Sequence, residues 1–77
     1  MSYLVGEEIL DSGDKVVIKW TDGTETVAEY KDTIGYTHYF DAIPVKTKEI
    51  RLSNHFMHLK GIYIRRATDE EVKNAKG

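Results

Sequence analysis

The sequence predicts a small, mostly β domain, either an antiparallel sheet or a half-open barrel, with a short helix at its C-terminal end. Runs of β-branched and aromatic residues recur at short intervals and are separated by glycine-containing turns. The chain has 77 residues, which suffices for one core and no second one. We therefore expect a single β-rich domain over residues 1–67, followed by a short helix over 68–77.

The chain contains no cysteine, so packing and backbone hydrogen bonds alone must hold the fold together. No basic leader precedes an apolar run, and no run approaches the roughly 20 residues that cross a bilayer. From these features we expect a soluble, cytoplasmic protein that does not contact membranes.

The strongest local pattern is a hairpin, in which residues 15–20 and 24–30 are β-prone and flank an Asp22-Gly23 turn. A three-residue loop with Gly23 in the left-handed conformation places the acids of the second run opposite lysines. The predicted cross-strand pairs are Lys19 with Glu25, Val17 with Val27, and Lys15 with Glu29. The core side then carries Val16, Ile18, Trp20, Ala28 and Tyr30. A two-residue loop would move both acids to the apolar face, so we prefer the longer loop.

The segment Val16–Tyr30 consists of a strand, Trp20, an Asp-Gly turn and a second strand, and it resembles a hairpin of an SH3-like barrel such as a Tudor module. The resemblance covers about a fifth of the chain and implies an SH3-like β-barrel. In Tudor-like folds aromatic rings cage cationic ligands. The resemblance therefore implies a candidate cage formed by Trp20, Tyr30 and one of Tyr36 or Tyr39.

After the hairpin, residues 31–35 have the composition of a turn and residues 36–40 that of another strand. Pro44 cannot donate a backbone hydrogen bond to a neighbouring strand. We therefore expect an edge strand or a loop over 42–46.

Alternating polar and apolar residues predict strands over 48–52 and 61–65. Residues 53–60 between them suit either a strand or a helical turn that begins after Ser53 and ends at Gly61. Farther along, Thr68-Asp69-Glu70-Glu71 matches a capping box and predicts a short helix over 69–75.

The net charge of −2 averages two segments of opposite sign. Residues 1–41 carry nine acids against three lysines, whereas residues 42–66 carry six lysines and arginines against Glu49 alone. Such an asymmetry is typical of binding surfaces, although folding can interleave the two segments.

Side chains suited to catalysis are few. The serines lie in terminal or turn contexts and none stands in a nucleophile elbow. The acidic residues over 7–14 lack the pattern of a calcium-binding loop. His55 and His58 share one side only if 53–60 is helical, and a metal site would still need a third ligand such as His38. We expect no enzymatic activity, no metal and no cofactor.

Eight aromatic residues, five of them tyrosines, exceed what a core of this size readily buries. Some should therefore lie at the surface, where rigid aromatic side chains and arginines favour recognition. The candidate binding residues are Tyr36, Tyr39, Arg51, Phe56, Tyr63, Arg65 and Arg66.

These features favour a small non-enzymatic protein-binding module that modulates a host or defence protein, by inhibiting or triggering it. Small accessory proteins of phages and mobile elements have this general character. The alternative is a nucleic-acid-binding β-barrel module that uses the basic segment 42–66. A third expectation is a homo-oligomer formed through an unpaired edge strand near Pro44 or the N-terminus.

Overall fold

A computed structural model describes residues 2–43 and 49–76 of the chain. In these residues the strands are β1 (Tyr3–Val5), β2 (Glu8–Leu10), β3 (Lys15–Lys19), β4 (Glu25–Ile34), β5 (Thr37–Ala42), β6 (Glu49–Ser53) and β7 (Tyr63–Arg66), and the helices are α1 (Asn54–Lys60) and α2 (Asp69–Lys76). Strands β3 to β7 form an antiparallel sheet in the order β6-β5-β4-β3-β7, and β1 and β2 form a separate hairpin. The predicted mostly β class with a short C-terminal helix is confirmed.

The hairpin of β3 and β4 has the register that its charges predict. Its cross-strand partners include Lys15 and Glu29, Val17 and Val27, and Lys19 and Glu25. Trp20 donates its backbone N–H to the Thr24 carbonyl at 2.9 Å, and Gly23 has a φ of +87°. This left-handed glycine is the one that the three-residue loop requires. The core side carries Val16, Ile18, Ala28 and Tyr30, with Trp20 packed partly buried against them.

The turn expected over 31–35 is wrong, because β4 continues through most of this segment. The register shifts between Tyr30 and Asp32, so that Lys31 is an extra residue in the ladder. Such a bulge accommodates one unpaired residue and lets the strand continue to Ile34. The polar, turn-favouring composition of this segment therefore marks a bulge near the end of a long strand.

The actual turn lies at Gly35 and Tyr36, between the paired residues Ile34 and Thr37. Gly35 has a φ of +63°, whereas Tyr36 does not have a positive φ. This is the pattern of a two-residue type II′ loop, which takes glycine at its first position. The strand predicted over 36–40 therefore begins one residue later, and Tyr36 occupies the tip of the hairpin.

Of the two interpretations of residues 53–60, the helical one is confirmed. The Ser53 hydroxyl accepts the backbone N–H of Phe56 at 3.1 Å, and Gly61 ends α1 with a φ of +72°. The helix joins β6 to β7, which form opposite edges of the sheet. Both edge strands contribute side chains to one core cluster, Ile50 and Leu52 from β6 and Ile64 from β7.

The hairpin of β1 and β2 is hydrogen-bonded to the start of α1 and to the end of β7. Asn54, the first residue of α1, donates to the Leu4 carbonyl and accepts the Gly6 N–H. Arg66, the last residue of β7, donates to the Ile9 carbonyl. The β1–β2 hairpin thus lies between α1 and β7.

Helix α2 covers part of the outer face of the sheet. Val17 points away from the main core but is only 2% exposed. Arg65 lies opposite Val17 on β7 and donates two hydrogen bonds to the Glu71 carboxylate, at 2.8 and 2.6 Å. Because α2 also packs against β4, the helix covers part of this outer face. The same face carries the predicted lysine–glutamate pairs.

The predicted edge or loop over 42–46 lies, from Pro44 onward, outside the described residues. Ala42 ends β5, and both Ala42 and Ile43 are buried. The predicted strands over 48–52 and 61–65 correspond to β6 and β7 within two residues. Neither of the helices in the described residues is long and apolar enough to cross a membrane.

The capping box predicts a testable weakness in α2. Glu71 accepts the Thr68 backbone N–H at 2.9 Å, and the Thr68 hydroxyl accepts the Glu71 N–H at 3.1 Å. The hydrogen bonds from Arg65, and then that from Thr68, lower the pKa of Glu71 to about 2. Glu71→Gln keeps an acceptor for the cap but loses the ion pair. We expect amide hydrogen exchange in residues 72–76 to accelerate roughly two- to fivefold.

The matched control for this measurement is Glu70→Gln, which removes the same charge from an exposed neighbouring position. Exchange in α2 should stay close to that of the wild type in the control. In the wild type the contact is present above the ordinary pKa of a glutamate and weakens as the pH falls from about 4.5 toward 2. Equal exchange in both variants at neutral pH would show that Arg65 does not anchor the helix.

Candidate binding surface

Two of the predicted binding residues, Arg65 and Arg66, make contacts between elements of the fold. Besides its contact with Glu71, Arg65 lies 3.9 Å from the Glu25 carboxylate. The Arg66 guanidinium lies 3.3 Å from the Asp14 carboxylate and 3.9 Å from that of Glu8. Together these arginines connect α2 and the β1–β2 hairpin to β7. Their charges are therefore largely committed to structural contacts.

Folding interleaves the acidic and basic segments of the sequence. The contacts of Arg65 and Arg66 are with acids of residues 1–41 and with Glu71 of α2. Within the acidic segment, Lys31 lies between Glu29 and Asp41, at 3.7 and 3.8 Å. Among residues 2–43 and 49–76, these ion pairs reduce the charge asymmetry that the sequence shows.

Tyr63 lies apart from the other predicted residues. It is opposite Lys19 at the β7 edge, is 66% exposed, and lines a cleft with Gly6, His58 and Ile62. The β1–β2 turn, α1 and β7 bound this cleft.

Tyr39, Arg51 and Phe56 come together on the outer face of β5 and β6. Tyr39 and Arg51 are cross-strand partners, and the Arg51 guanidinium carbon lies 5.8 Å from the centre of the Tyr39 ring. This distance is within the range of a cation–π contact. Phe56 reaches the same shallow cleft from α1 and is 43% exposed. The hydrogen bond to Glu49, at 2.7 Å, raises the pKa of Arg51 and keeps it charged.

Two exposed side chains of the β4–β5 hairpin extend this cluster. Ile34 is paired with Thr37, two residues from Tyr39, so it lies on the same outer face as Tyr39. It is 64% exposed, and Tyr36 at the tip is 92% exposed. We call this set the corner surface; it consists of Ile34, Tyr36, Tyr39, Arg51 and Phe56.

A second cleft lies on the other side of the hairpin tip. Tyr36 lines it together with Leu4 of β1 and His55 of α1. Leu4 and its cross-strand partner Ile9 are both more than half exposed. The buried His38 also lines this cleft. We call it the tip cleft.

The buried His38 is the centre of a partly buried hydrogen-bond network that sequence reasoning did not identify. Its Nδ1 contacts the Thr33 hydroxyl at 2.7 Å, and its Nε2 contacts the Asn54 side-chain oxygen at 2.9 Å. The Asn54 oxygen also accepts the Gly6 N–H, so His38 Nε2 must carry the donated proton. Nδ1 is then free to accept from Thr33, which in turn is bonded to the Tyr30 hydroxyl. A neutral imidazole with its proton on Nε2 satisfies every hydrogen bond of the network.

Burial lowers the pKa of His38, although the hydrogen bond to Asn54 opposes this effect. Residues of β1, β4, β5 and α1 meet in the network, which therefore fixes the walls of the tip cleft relative to one another. The sequence did indicate that His38 is buried, because it lies two residues before Phe40 on a predicted strand and so points to the same face. No local signal identified Asn54.

The histidines do not converge as the candidate metal site would require. His55 lines the tip cleft, whereas His58 lines the cleft beside Tyr63. Both ring nitrogens of His38 are engaged by Thr33 and Asn54.

The aromatic cage implied by the resemblance does not form either, because Tyr30 is fully buried and packs edge-on against Phe40. The Trp20 ring is held by a hydrogen bond from its Nε1 to the Thr26 hydroxyl, at 2.8 Å.

Comparison of the chain with protein-family models, curated proteins and solved structures finds no match. The functional interpretation therefore rests on the geometry of the corner surface and the tip cleft.

Proposed function

We propose that this protein is a protein-binding module that docks on a partner through the corner surface. The observation that carries the proposal is the exposure of large apolar side chains at one place in the fold: Ile34 at 64%, Tyr36 at 92% and Phe56 at 43%. These side chains lie around the tip of the β4–β5 hairpin and the start of α1, and clusters of exposed apolar groups mark interaction sites on small proteins. Aromatic residues next to an arginine have the composition of interface centres.

Charges on the same face favour a protein over a nucleic acid. Asp32 is paired with Tyr39, and Asp41 with Glu49, so all three acids lie on the outer face with the corner surface. Lys31 and Arg51 offset the charges of Asp41 and Glu49, whereas Asp32 adds a negative charge that repels phosphates, which dominate the affinity for nucleic acids. Two arginines of the basic segment 42–66, Arg65 and Arg66, make structural ion pairs. A partner with apolar side chains and a polar rim fits this surface best.

The surface is held in place before binding. Ser53 caps α1 and thereby orients Phe56, while the bulge and the type II′ turn fix the hairpin that carries Ile34 and Tyr36. A preorganised surface loses less conformational entropy on association. With no catalytic group in the proposal, the module modulates its partner by covering part of the partner's surface.

The test is affinity capture from native lysate with a double variant, Tyr36→Ser with Phe56→Ser, and a matched control, Leu59→Ser with Tyr63→Ser. The control removes one aliphatic and one aromatic side chain that are also exposed, at 67% and 66%. We expect the wild type and the control to retain the same stoichiometric partner. The corner variant should bind the purified partner about 100-fold more weakly, as measured by calorimetry.

Equal retention of every captured protein by the corner variant and the control would contradict the proposal. Binding of an oligonucleotide that weakens as salt rises, with no protein retained, would instead support the nucleic-acid alternative. Circular dichroism of each variant establishes that the comparison is between folded proteins.

A further inference from the structure

Strand β6 forms an edge of the sheet. In the described part of the chain it has a hydrogen-bonded neighbour, β5, on one side only. An edge strand presents unpaired backbone N–H and C=O groups that can bind another strand. The positions of these groups decide which partner fits.

The hydrogen-bond pattern between β4 and β5 determines which residues of β5 direct their backbone groups toward β6. The two-residue loop makes Ile34 and Thr37 a hydrogen-bonded pair. Hydrogen bonding alternates along an antiparallel strand, so Thr37 and Tyr39 bond to β4. His38, which lies between them, and Phe40, which follows Tyr39, must then bond to β6.

On β6 these two residues pair with Leu52 and Ile50. The backbone groups of Ile50 and Leu52 are thus directed toward β5, and those of Glu49 and Arg51 point to the free edge. The side chains of Glu49 and Arg51 are 47% and 69% exposed. Both side chains are therefore accessible to a second strand that pairs at this edge.

The sequence of this edge, Glu49-Ile50-Arg51, is complementary to itself. If a second β6 strand pairs antiparallel with its centre at Ile50, Glu49 of each copy lies opposite Arg51 of the other. Both residues have outward backbone groups, so each such pair is a hydrogen-bonded pair of the new ladder. Two cross-strand ion pairs then flank the centre, and opposite charges in this arrangement stabilise strand pairing.

We propose that two copies of this chain associate through β6, antiparallel and centred on Ile50, so that their sheets become continuous. The twofold axis stands perpendicular to the sheet, which leaves the outer faces of both copies on the same side. The two corner surfaces then face one way, and a dimer binds a repeated or symmetric partner with both of them. The association itself depends only on β6 and does not require the proposed function.

Sedimentation equilibrium of the purified chain, from about 10 µM to about 1 mM, tests the pairing by charge exchange. The single variants Glu49→Lys and Arg51→Glu each place like charges opposite one another at both ends of the ladder. The double variant Glu49→Lys with Arg51→Glu restores opposite charges in exchanged positions. We expect each single variant to raise the dissociation constant at least about tenfold. The double variant should return to within about threefold of the wild type.

Glu70→Lys is the matched control, because it changes the net charge as Glu49→Lys does but lies on α2, and it should dimerise like the wild type. A wild type that stays monomeric at about 1 mM overturns the proposal. Failure of the double variant to recover association also overturns it, as does an equal loss in the control. Thermal unfolding confirms that each variant is folded. If one single variant does not fold, the association of the double variant still tests the pairing.

Discussion

Replacing Phe40 with alanine is expected to remove between about a quarter and all of the protein's free energy of unfolding. The Phe40 side chain is fully buried, and its ring centre lies 5.7 Å from that of Tyr30 in an edge-to-face contact. Truncation of a buried phenylalanine costs about 3–5 kcal/mol. A domain of this length has a free energy of unfolding of only about 4–12 kcal/mol. The loss is thus a large fraction of the stability, and denaturant titration followed by circular dichroism measures it.

Phe56→Ala is the matched control, since it removes the same side chain from a position that is 43% exposed. We expect it to change the free energy of unfolding by less than about 1 kcal/mol. Phe40→Leu should fall between the two, because leucine refills part of the space. Similar midpoints for Phe40→Ala and Phe56→Ala would show that the core is not centred on Phe40.

The comparison of sequence and structure shows which interactions are locally encoded. The β3–β4 register could be predicted because a glycine loop and two lysine–glutamate pairs lie within 15 residues of one another. The caps of α1 and α2 were equally local, since Ser53, Gly61 and the Thr68–Glu71 box act within one helical turn. Such features need no knowledge of the rest of the fold.

The roles of Arg65 and Arg66 could not be predicted in the same way. Arg66 contacts Ile9 and Asp14, which are 57 and 52 residues away in the chain. A basic side chain that ties distant elements together is indistinguishable, in sequence, from one that contacts a ligand. This is why the seven predicted binding residues included two structural ones.

The bulge at Lys31 was missed for a different reason. Polar residues between two β-prone runs ordinarily mark a turn, and the segment 31–35 has that composition. Only the pairing of Tyr30 with Phe40 and of Asp32 with Tyr39 shows that the strand continues. One consequence is that Tyr36 moves to the tip of the hairpin, where it is the most exposed of the predicted binding residues.

Acidification is expected to destabilise the protein through His38. Because burial lowers the pKa of His38 in the folded state, the unfolded chain binds the proton first as the pH falls below about 6.5. The stability that the neutral imidazole contributes is present above that pH and is lost progressively below it. One proton corresponds to at most about 1.4 kcal/mol per pH unit. Urea titrations at pH values from about 7.5 to about 5.5 measure this slope.

The geometry explains why protonation of His38 is unfavourable in the folded state. A second proton on His38 would sit on Nδ1 and face the hydrogen of the Thr33 hydroxyl, so the chain of donors through Thr33 to Tyr30 would have to reverse. Other titratable groups near the site are Tyr30 of β4 within the network, and Tyr3 of β1 and His55 of α1 lining the tip cleft. Burial causes the downward shift of the His38 pKa and the Asn54 hydrogen bond opposes it, with no contribution from a neighbouring charge.

His38→Gln should abolish most of the change in the free energy of unfolding between about pH 7.5 and pH 5.5, although it lowers stability at neutral pH. His55→Gln and His58→Gln alter exposed side chains of α1 and should retain the wild-type slope. A slope that persists in His38→Gln but disappears in either α1 variant would assign the effect to the surface. Because the network joins Leu4, Gly6 and Asn54, its loss at low pH should first loosen the β1–β2 hairpin. Faster amide exchange at Gly6, whose N–H is bonded to Asn54, is the expected local sign.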